Sequence, residues 1–435
     1  MQLTDTDPRQ NELRRAESLR SARLSKNSRS WPEQVRGLCL VFCATACLLL
    51  IAVQAILSFD PSRNLWDYGS LYASAAKANL HTNPYSDDPV VFRVRDFDHY
   101  GPETPLQGRN VAAINLNPPV LLYPFRLLAK LPPRDSFNAW TALSVALFLA
   151  SLMLVLDMYP ERKLRIRLLW ILSLAGLWYT FQAGQIYTVL LFGTALAWWC
   201  LRKQKYIAAG IAIGVICAIK PPFLIWPGLL IAGSSKKTGF TVIAAALGFS
   251  AIPLALQGPI IYQQWIAACR NFNGYELEGN SSLLAMFSRA GIPGAGLAFA
   301  ILMLLATLIW IFVTKPDPLF TSEIAILASI FAGPISWIGY TIMLIPALYG
   351  KSMNTLTRVA CVLLCIPVWV VLPKPAESRI SYIFLTAPNF YPLAMIAISV
   401  IFIAVRSSTA LSNTAAIPKP LDVDRKTTPQ LNPQP

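Results

Sequence analysis

A single lysine interrupts a long apolar stretch near the middle of the chain. In CAIKPPFLIWP, residues 217–227, Lys220 is followed by two prolines and is surrounded by residues typical of a membrane interior. A cation at the centre of a bilayer costs about 2.5–3.5 kcal/mol on insertion scales, so such a residue is a candidate functional site. The alternative is a lysine that reaches the membrane interface at the end of a short helix.

A carboxylate stands at the start of a second candidate region. Asp67 precedes YGSLYASAAKANL, residues 68–80, and the spacing of Tyr68, Leu71 and Tyr72 predicts a short helix along the membrane surface. At the start of a helix, a carboxylate stabilises the helix dipole. In a cavity at the membrane surface it would be a general base, a role worth roughly 10²–10⁴ in rate. Both interpretations are open on these residues alone.

The composition places these residues in a membrane protein. Of the 435 residues, 55% are hydrophobic and only 14% are charged, and the mean hydropathy is +0.49. Soluble domains carry nearer 25% charged residues. Apolar stretches close to the length that crosses a bilayer recur between residues 36 and 405. We therefore predict an all-α polytopic membrane protein with about 10–12 transmembrane helices.

The distribution of charge predicts the orientation of the chain. The net charge of +15 falls in short loops and tails rather than on a basic and aromatic surface, which argues against nucleic acid as a partner. Clusters such as ERKLRIR at 161–167 and RKQK at 202–205 are typical of cytoplasmic loops. The long polar loops at 59–117 and 257–295 are then expected on the opposite, non-cytoplasmic face.

Three domain-level segments follow from this pattern. Residues 1–36 are polar and rich in charge, and residues 407–435 combine prolines with scattered charges. Such composition predicts disordered cytoplasmic tails, so both termini are expected in the cytoplasm. Residues 37–406 form the predicted integral membrane domain.

The membrane domain contains two breaks that prolines predict. NPPVLLYPFRLLAKLPP, residues 117–133, is interrupted by several prolines and by Arg126 and Lys130, so we interpret it as re-entrant or interfacial. The KPP sequence at Lys220 is the second break. Broken helices at membrane depth are tolerated where protein covers them or where they line a cavity. Both breaks are expected to open on the non-cytoplasmic face.

No metal site or other cofactor is predicted. Seven of the eight cysteines lie in apolar runs, where a free thiol behaves as a small hydrophobe, and only Cys269 lies in a loop-like segment. No CxxC or Cys/His spacing is present. Asp96, Asp98 and His99 in RDFDHY are hard metal ligands by type, but no second cluster completes a site.

Several motifs together resemble a known family. They are Asp67-Tyr68-x-x-Leu71-Tyr72-x-x-Ala75, Asn83-Pro84-Tyr85, NPPVLLYPFRLLAKLP at 117–132, GQIYTVLLFGTALAWWCLRKQKYIAAGIAIGVICAIKPP at 184–222, GNSSLLAMFSRAG at 279–291 and PISWIGYTIMLIPAL at 334–348. In this order they resemble the bacterial membrane proteins of glycosyltransferase family 87. The block at 184–222 is the most specific, and the resemblance covers about residues 60–350.

The resemblance implies a fold, a reaction and a location. The fold would be of the GT-C type, with re-entrant segments and short interfacial helices in the first outer loop. The reaction would move a sugar from a polyprenyl-phosphate carrier to a glycolipid or glycan acceptor on the non-cytoplasmic face of the plasma (bacterial inner) membrane. In such folds, an acidic residue early in the first outer loop belongs to the active site, and Asp67 occupies that position.

Two basic residues are candidates for the donor phosphate. Lys220 would stabilise the charge that develops on the phosphate as the glycosidic bond breaks. The proline after it disfavours a helical conformation at Lys220 itself. Arg289 could hold phosphate oxygens bidentately, or it could be an ordinary loop arginine.

Other residues are candidates for contacts with the sugar. Asn280 could hydrogen-bond sugar hydroxyls or cap a helix that starts at Ser281. Gln185 could line the site or form a tight helix corner with the preceding glycine. The aromatic residues Tyr68, Tyr72 and Trp337 could stack on sugar rings, but aromatic residues also form belts at membrane interfaces.

One departure from the family pattern keeps other functions open. Family members often carry a histidine where this chain has Gly339, which leaves Asp67 as the leading base. With one good carboxylate candidate, we expect direct displacement with inversion at the anomeric carbon. A transporter or lipid flippase with Lys220 as substrate counter-ion, and a catalytically silent binder of lipid-linked sugar, are the alternatives.

Overall fold

A computed structural model describes most of the predicted membrane domain. It covers residues 31–58, 65–86, 90–91, 110–111, 115–160, 164–272, 279–351, 353–367, 382–383 and 385–415. Most of the predicted tails 1–36 and 407–435, and the RDFDHY stretch, lie outside the described residues. A helix begins at Trp31 and another extends to Ala415, so the ends of both predicted tails next to the membrane domain are helical.

The described residues form seventeen α-helices. These are α1 (Trp31–Ser58), α2 (Leu65–Asn79), α3 (Leu122–Leu128), α4 (Pro133–Met158), α5 (Leu164–Ser173), α6 (Ala175–Ala183), α7 (Tyr187–Arg202), α8 (Tyr206–Ile219), α9 (Ile225–Ala232), α10 (Lys236–Gln257), α11 (Ile260–Asn271), α12 (Leu283–Arg289), α13 (Pro293–Thr314), α14 (Pro318–Ala332), α15 (Ile345–Gly350), α16 (Thr355–Leu363) and α17 (Phe390–Ala415). Short 3-10 helices cover Pro119–Leu121, Pro221–Leu224 and Ile338–Leu344. The strands β1 (Val90–Val91) and β2 (Asn110–Val111) form one antiparallel pair.

Four of these helices are long and apolar enough to cross a membrane. They comprise Val41–Ser58 within α1, and the whole of α4, α10 and α13. Shorter apolar helical segments of 10–17 residues lie at Pro119–Leu128, Tyr206–Ile219, Pro221–Ala232, Pro318–Ala332, Ile338–Gly350 and Phe390–Ala404. The prediction of an all-α polytopic membrane protein is confirmed.

Two local features of the backbone lie where the sequence predicts them. The short helix predicted around Asp67 is α2, with Asp67 in its first turn. Lys220 ends α8 in an extended conformation, with φ −137° and ψ 90°, as expected for a residue before proline. The apolar stretch at 168–182 is divided between α5 and α6. The break falls at the extended Leu174, and the backbone N–H of the next residue donates to Leu364 O at 3.0 Å.

The central helices pack closely through small residues. On α8, a Cβ atom added at Gly214 would lie 2.5 Å from Ala245 Cβ, and one at Gly210 would lie 2.6 Å from Thr241 Cβ. Both partners belong to α10. Small residues let helix backbones approach within a membrane, where dispersion and hydrogen bonds drive association. This contact holds α8, whose last residue precedes Lys220, against a long spanning helix.

Helices α7 and α8 give the domain two distinguishable ends. Only residues 203–205 connect them, so they are antiparallel neighbours, and Gln185 before α7 lies at the same end as Lys220 after α8. At 1.5 Å per residue, a 16-residue helix spans about 24 Å. We call the end with Gln185 and Lys220 the cavity end.

The opposite end carries cations on aromatic rings, and we call it the basic–aromatic end. Arg202 Cζ lies 4.6 Å from the ring centroid of Tyr159, whose ring lies 5.9 Å from that of Tyr349. Arg167 Cζ lies 5.3 Å from the Tyr349 centroid, and its Nη2 donates to Lys351 O at 3.1 Å. These contacts form one continuous network across α4, α5, α7 and α15.

Candidate active site

A cavity of about 460 Å³ opens at the cavity end. Pockets of this size are typical of small-molecule sites in proteins. Its polar lining comes from Asp67, Ser70, Asn117, Gln185, Lys220 and Cys269, and its aromatic lining from Tyr187, Trp265, Phe272, Trp337 and Tyr340. Segments far apart in the chain therefore meet around one space.

The two proline-rich breaks lie at this cavity. Asn117 and Lys220 are each followed by two prolines, and each break continues into a 3-10 helix. Asn117, Lys220 and their following prolines Pro118, Pro221 and Pro222 line the cavity. Both breaks therefore open on one space. The side of the membrane that they face stays a prediction.

Two tyrosines anchor the helix that carries Asp67. The hydroxyl of Tyr68 shares a short hydrogen bond with Ser136 Oγ on α4. The hydroxyl of Tyr72 donates to Leu131 O at 2.9 Å. Both rings are buried, and neither lines the cavity. The structure therefore places Tyr68 and Tyr72 beneath α2, where they orient Asp67, and their predicted contact with a sugar has no support from this placement.

A glycine corner brings Gln185 next to α2. Gly184 ends α6 with φ 62°, a left-handed conformation that suits glycine. A Cβ atom there would lie 2.7 Å from Tyr68 Cβ. Trp140 Nε1 donates to Gly184 O at 2.8 Å and fixes the corner from the other side. The sequence left open whether Gln185 lines the site or forms a tight corner, and the structure shows that it does both.

Asp67 lies in a cluster of groups that favour its ionised form. The Gln185 amide hydrogen-bonds to its carboxylate, and the Tyr179 hydroxyl lies 3.5 Å from Asp67 Oδ2. The Lys220 ammonium adds a favourable charge interaction. Burial nevertheless has the larger effect and raises the pKa of Asp67 above its ordinary value. A carboxylate with a raised pKa at a cavity wall is suited to accept a proton.

Lys220 lines the cavity and has no carboxylate ion-pair partner among the residues that the structure describes. No ion pair joins it to any residue that the structure describes, although it shares the cavity with Asp67. Its Nζ lies 5.8 Å from the ring centroid of Tyr340, within the range of a cation–π contact. Lys220 can therefore meet an anionic group in the cavity without first breaking an ion pair.

The wall that carries Trp337 is held by Asn280. Asn280 Oδ1 accepts hydrogen bonds from the backbone N–H groups of Ser282, at 3.2 Å, and Ser336, at 2.8 Å. Its Nδ2 donates to Pro334 O at 3.0 Å. The prediction that Asn280 caps a helix starting at Ser281 is wrong, because α12 starts at residue 283 and Ser282 Oγ accepts from Ala285 N. Asn280 instead joins two loops beside the cavity.

Arg289 lies behind this wall rather than in the cavity. Its side chain is buried, and Nη2 donates to Asn280 O at 2.9 Å. Arg289 does not line the cavity, so it supports the loop that holds Trp337. Of the residues that the sequence singled out, the structure brings together Asp67, Gln185, Lys220 and Trp337.

Sequence reasoning missed several residues that line the cavity, among them Asn117, Tyr187, Trp265 and Cys269. Asn117 was quoted only as part of a proline-rich break, although the matching pattern at Lys220 was a usable signal. Trp265 and Cys269 lie on α11, and Trp265 Nε1 donates to Leu116 O at 3.0 Å. Tyr187 is the second residue after Gln185 and fills the floor beside Gly339. These three carry no local signal, because only packing places them at the cavity.

A metal site finds no counterpart in the part of the chain that the structure describes. There, no group of three or more histidine, cysteine, aspartate or glutamate residues is arranged to hold a metal ion. The stretch at 95–100, whose Asp96, Asp98 and His99 were considered as metal ligands, lies outside the described residues.

Comparison with known proteins identifies one family. The sequence profile of glycosyltransferase family 87 matches residues 115–333, just over half of the chain. Gln185 and Lys220 lie within the matched stretch, whereas Asp67 and Trp337 lie outside it. No curated protein and no solved structure matches the chain in the corresponding comparisons.

Proposed function

The chain belongs to glycosyltransferase family 87, and we propose that it moves a sugar from a polyprenyl-phosphate carrier to a hydroxyl group of a glycolipid or glycan. The sugar would be mannose or another hexose or pentose. The observation that supports this best is the placement of Asp67 and Lys220 at one cavity without an ion pair between them. A transfer from a lipid-linked phosphate needs a base for the acceptor and a cation for the departing phosphate.

In the proposed reaction Asp67 accepts the proton of the acceptor hydroxyl. The hydroxyl oxygen attacks the anomeric carbon as the bond between that carbon and the phosphate oxygen breaks. The polyprenyl phosphate departs with the bonding electron pair, and Lys220 stabilises its added negative charge. One direct displacement inverts the anomeric carbon. The Gln185 side chain, which also lines the cavity, favours the ionised form of Asp67.

The aromatic lining of the cavity is suited to bind a sugar and the first part of a lipid chain. Trp265 and Trp337 both line the cavity together with prolines and Ile335. Such a surface is apolar, with few fixed polar groups, as is typical of ligand pockets. The carrier chain itself would extend beyond the cavity into the bilayer.

The basic–aromatic end supports a non-cytoplasmic location for the cavity. It contains Lys351 together with Arg167 and Arg202, and these two arginines belong to the basic clusters that the sequence assigns to the cytoplasm. The antiparallel pair α7 and α8 separates this end from Gln185 and Lys220. The cavity would then face the outer side of the plasma membrane, with both termini in the cytoplasm.

The test is sugar transfer in membranes that contain the full chain. Radiolabelled polyprenyl-phosphate sugars from a small panel are supplied, and transfer into lipid or glycan is measured for wild type and Asp67→Asn. We expect transfer from one donor and a loss of about 10²–10⁴-fold in the variant, because the general base is removed. Asp157→Asn is the matched control, because Asp157 lies away from the cavity and accepts a hydrogen bond from Trp199.

Two results would overturn the proposal. Wild-type membranes that use none of the donors, beside a working positive control, would favour a transporter or a silent binder of lipid-linked sugar. Transfer by Asp67→Asn at the wild-type rate would show that another group accepts the proton.

A further inference from the structure

Gly339 is in contact with the ring of Tyr187. A Cβ atom added at Gly339 would lie 2.1 Å from Tyr187 Cδ2 and 2.3 Å from Cε2. Real Cβ atoms do not approach carbon so closely, so any side chain at residue 339 would displace the ring. The backbone at Gly339 does not itself require glycine, since it is absent from the glycines with positive φ. The absence of a side chain at Gly339 therefore leaves the space that the Tyr187 ring occupies.

Tyr187 in turn holds Tyr340. Their ring centroids lie 4.7 Å apart with an interplanar angle of 59°. The ring of Phe223 also packs against Tyr340, with centroids 5.9 Å apart. Tyr340 therefore contacts both a residue of α7 and a residue of the break that follows Lys220.

The ammonium group of Lys220 lies against the ring of Tyr340. Lys220 Nζ lies 5.8 Å from the ring centroid, and both residues line the cavity. The chain at Lys220 is extended rather than helical, so neighbouring helical turns do not restrict this side chain. A long flexible lysine needs a tertiary partner to hold its ammonium group at one place.

We propose that Tyr340 is a positioning residue that holds the Lys220 ammonium at the cavity wall, and that Tyr187 and Gly339 are a matched pair that fixes Tyr340. The role of Lys220 towards the donor phosphate rests on the proposed function, but the arrangement of the four residues does not. An aromatic face holds a cation without neutralising it, whereas a carboxylate would compete with an incoming phosphate.

A thiol in the same cavity reports the position of Lys220 without any sugar transfer. Lys220 lowers the pKa of the Cys269 thiol, although burial raises it above the ordinary value. The rate of alkylation of Cys269 is measured against pH by mass spectrometry of its peptide in the full-length protein. Lys220→Met should raise the midpoint. Tyr340→Leu should move the midpoint away from the wild-type value, whereas Tyr340→Phe, which keeps the ring, should not.

Unchanged Cys269 titration in Tyr340→Leu would overturn the proposal. A midpoint that moves equally in Tyr340→Phe would also overturn it, because the ring face would then not be the determinant. Neither result depends on enzymatic activity, so they are separate from a failure of the proposed function.

Donor kinetics give the second readout if transfer is found. Tyr340→Leu should raise the KM for the donor about threefold to tenfold, the range expected for a partly buried cation–π contact. In a Lys220→Met background the same change should have no further effect. A purely structural role of Tyr340 would instead impair both backgrounds equally and would contradict the proposal.

The matched pair is tested by thermal stability. Gly339→Ala should lower the unfolding temperature, and the double variant Gly339→Ala with Tyr187→Ala should be no less stable than Tyr187→Ala alone, because the clash is gone. Gly248→Ala is the control, since no atom lies within 4 Å of a Cβ added there. Additive losses in the double variant would show that the two residues are not matched.

Discussion

The two ends of the membrane domain differ in how their charged side chains are paired. At the basic–aromatic end, Lys351 Nζ lies 3.0 Å from Glu323 Oε1 and 5.6 Å from the ring centroid of Phe320. At the cavity end, Lys220 and Asp67 share a space without forming an ion pair. Charges that neutralise each other within the fold serve stability and orientation. Charges kept apart across a cavity are available to a ligand, and the following predictions test this distinction.

The largest effect on stability is expected at the basic–aromatic end. Lys351→Met leaves the carboxylate of Glu323 buried and without its partner, and breaking such a pair costs about 3–5 kcal/mol. The measurement is unfolding of the purified protein in an SDS titration. Transfer per folded molecule should be unchanged, since the pair lies away from the cavity.

Two matched variants sharpen this result. Glu323→Gln combined with Lys351→Met should recover most of the stability, because no buried charge remains. Lys205→Met removes an exposed cation 4.7 Å from the half-buried ring of Trp199 and should change stability by less than about 0.5 kcal/mol. A stable Lys351→Met protein would contradict the view that this end is held by charge pairing.

The next effect is expected on activity at the cavity end. Lys220→Met removes a cation that forms no ion pair with any described residue, so stability should change little. Transfer should fall about 10²–10³-fold, the usual loss when one electrostatic group is removed from a transition state. Sugar transfer and SDS unfolding are measured on the same preparation. A Lys220→Met protein that is much less stable but keeps its transfer activity when folded would show that Lys220 serves stability, which contradicts the distinction drawn between the two ends.

The smallest effect is expected on the pH dependence of transfer. Asp67 acts as a base when it is ionised, so activity rises as pH increases through its pKa, and burial places this rise above the range of an exposed aspartate. Gln185→Met removes a hydrogen bond that lowers this pKa, so the rise should move to higher pH. Tyr179→Phe should act in the same direction but less, because its contribution is smaller.

A matched tyrosine serves as the control for this shift. Tyr262→Phe removes a hydroxyl that donates to Ser250 O rather than to Asp67, and Tyr262 does not line the cavity, so the pH profile should stay at its wild-type position. A movement of the profile to lower pH in Gln185→Met would show that the amide does not stabilise the carboxylate.

Much of this protein is determined by the sequence itself. Hydropathy and low charge predict a polytopic helical membrane protein, because a bilayer accepts only segments that satisfy their own backbone groups. The spacing after Asp67 predicts α2, and the proline after Lys220 predicts an extended residue there. These features are local, since they depend on neighbours within one or two helical turns.

Only the tertiary structure decided which of the candidate residues share a space. Arg289 and Trp337 are both plausible ligand-binding types in the sequence, yet Trp337 lines the cavity and Arg289 supports the loop behind it. In the sequence, Gly339 is noted only because it stands where family members often carry a histidine. In the fold, its lack of a side chain leaves room for the Tyr187 ring. The physical reason is that packing of distant segments sets these positions, and no local spacing records which side chains will meet.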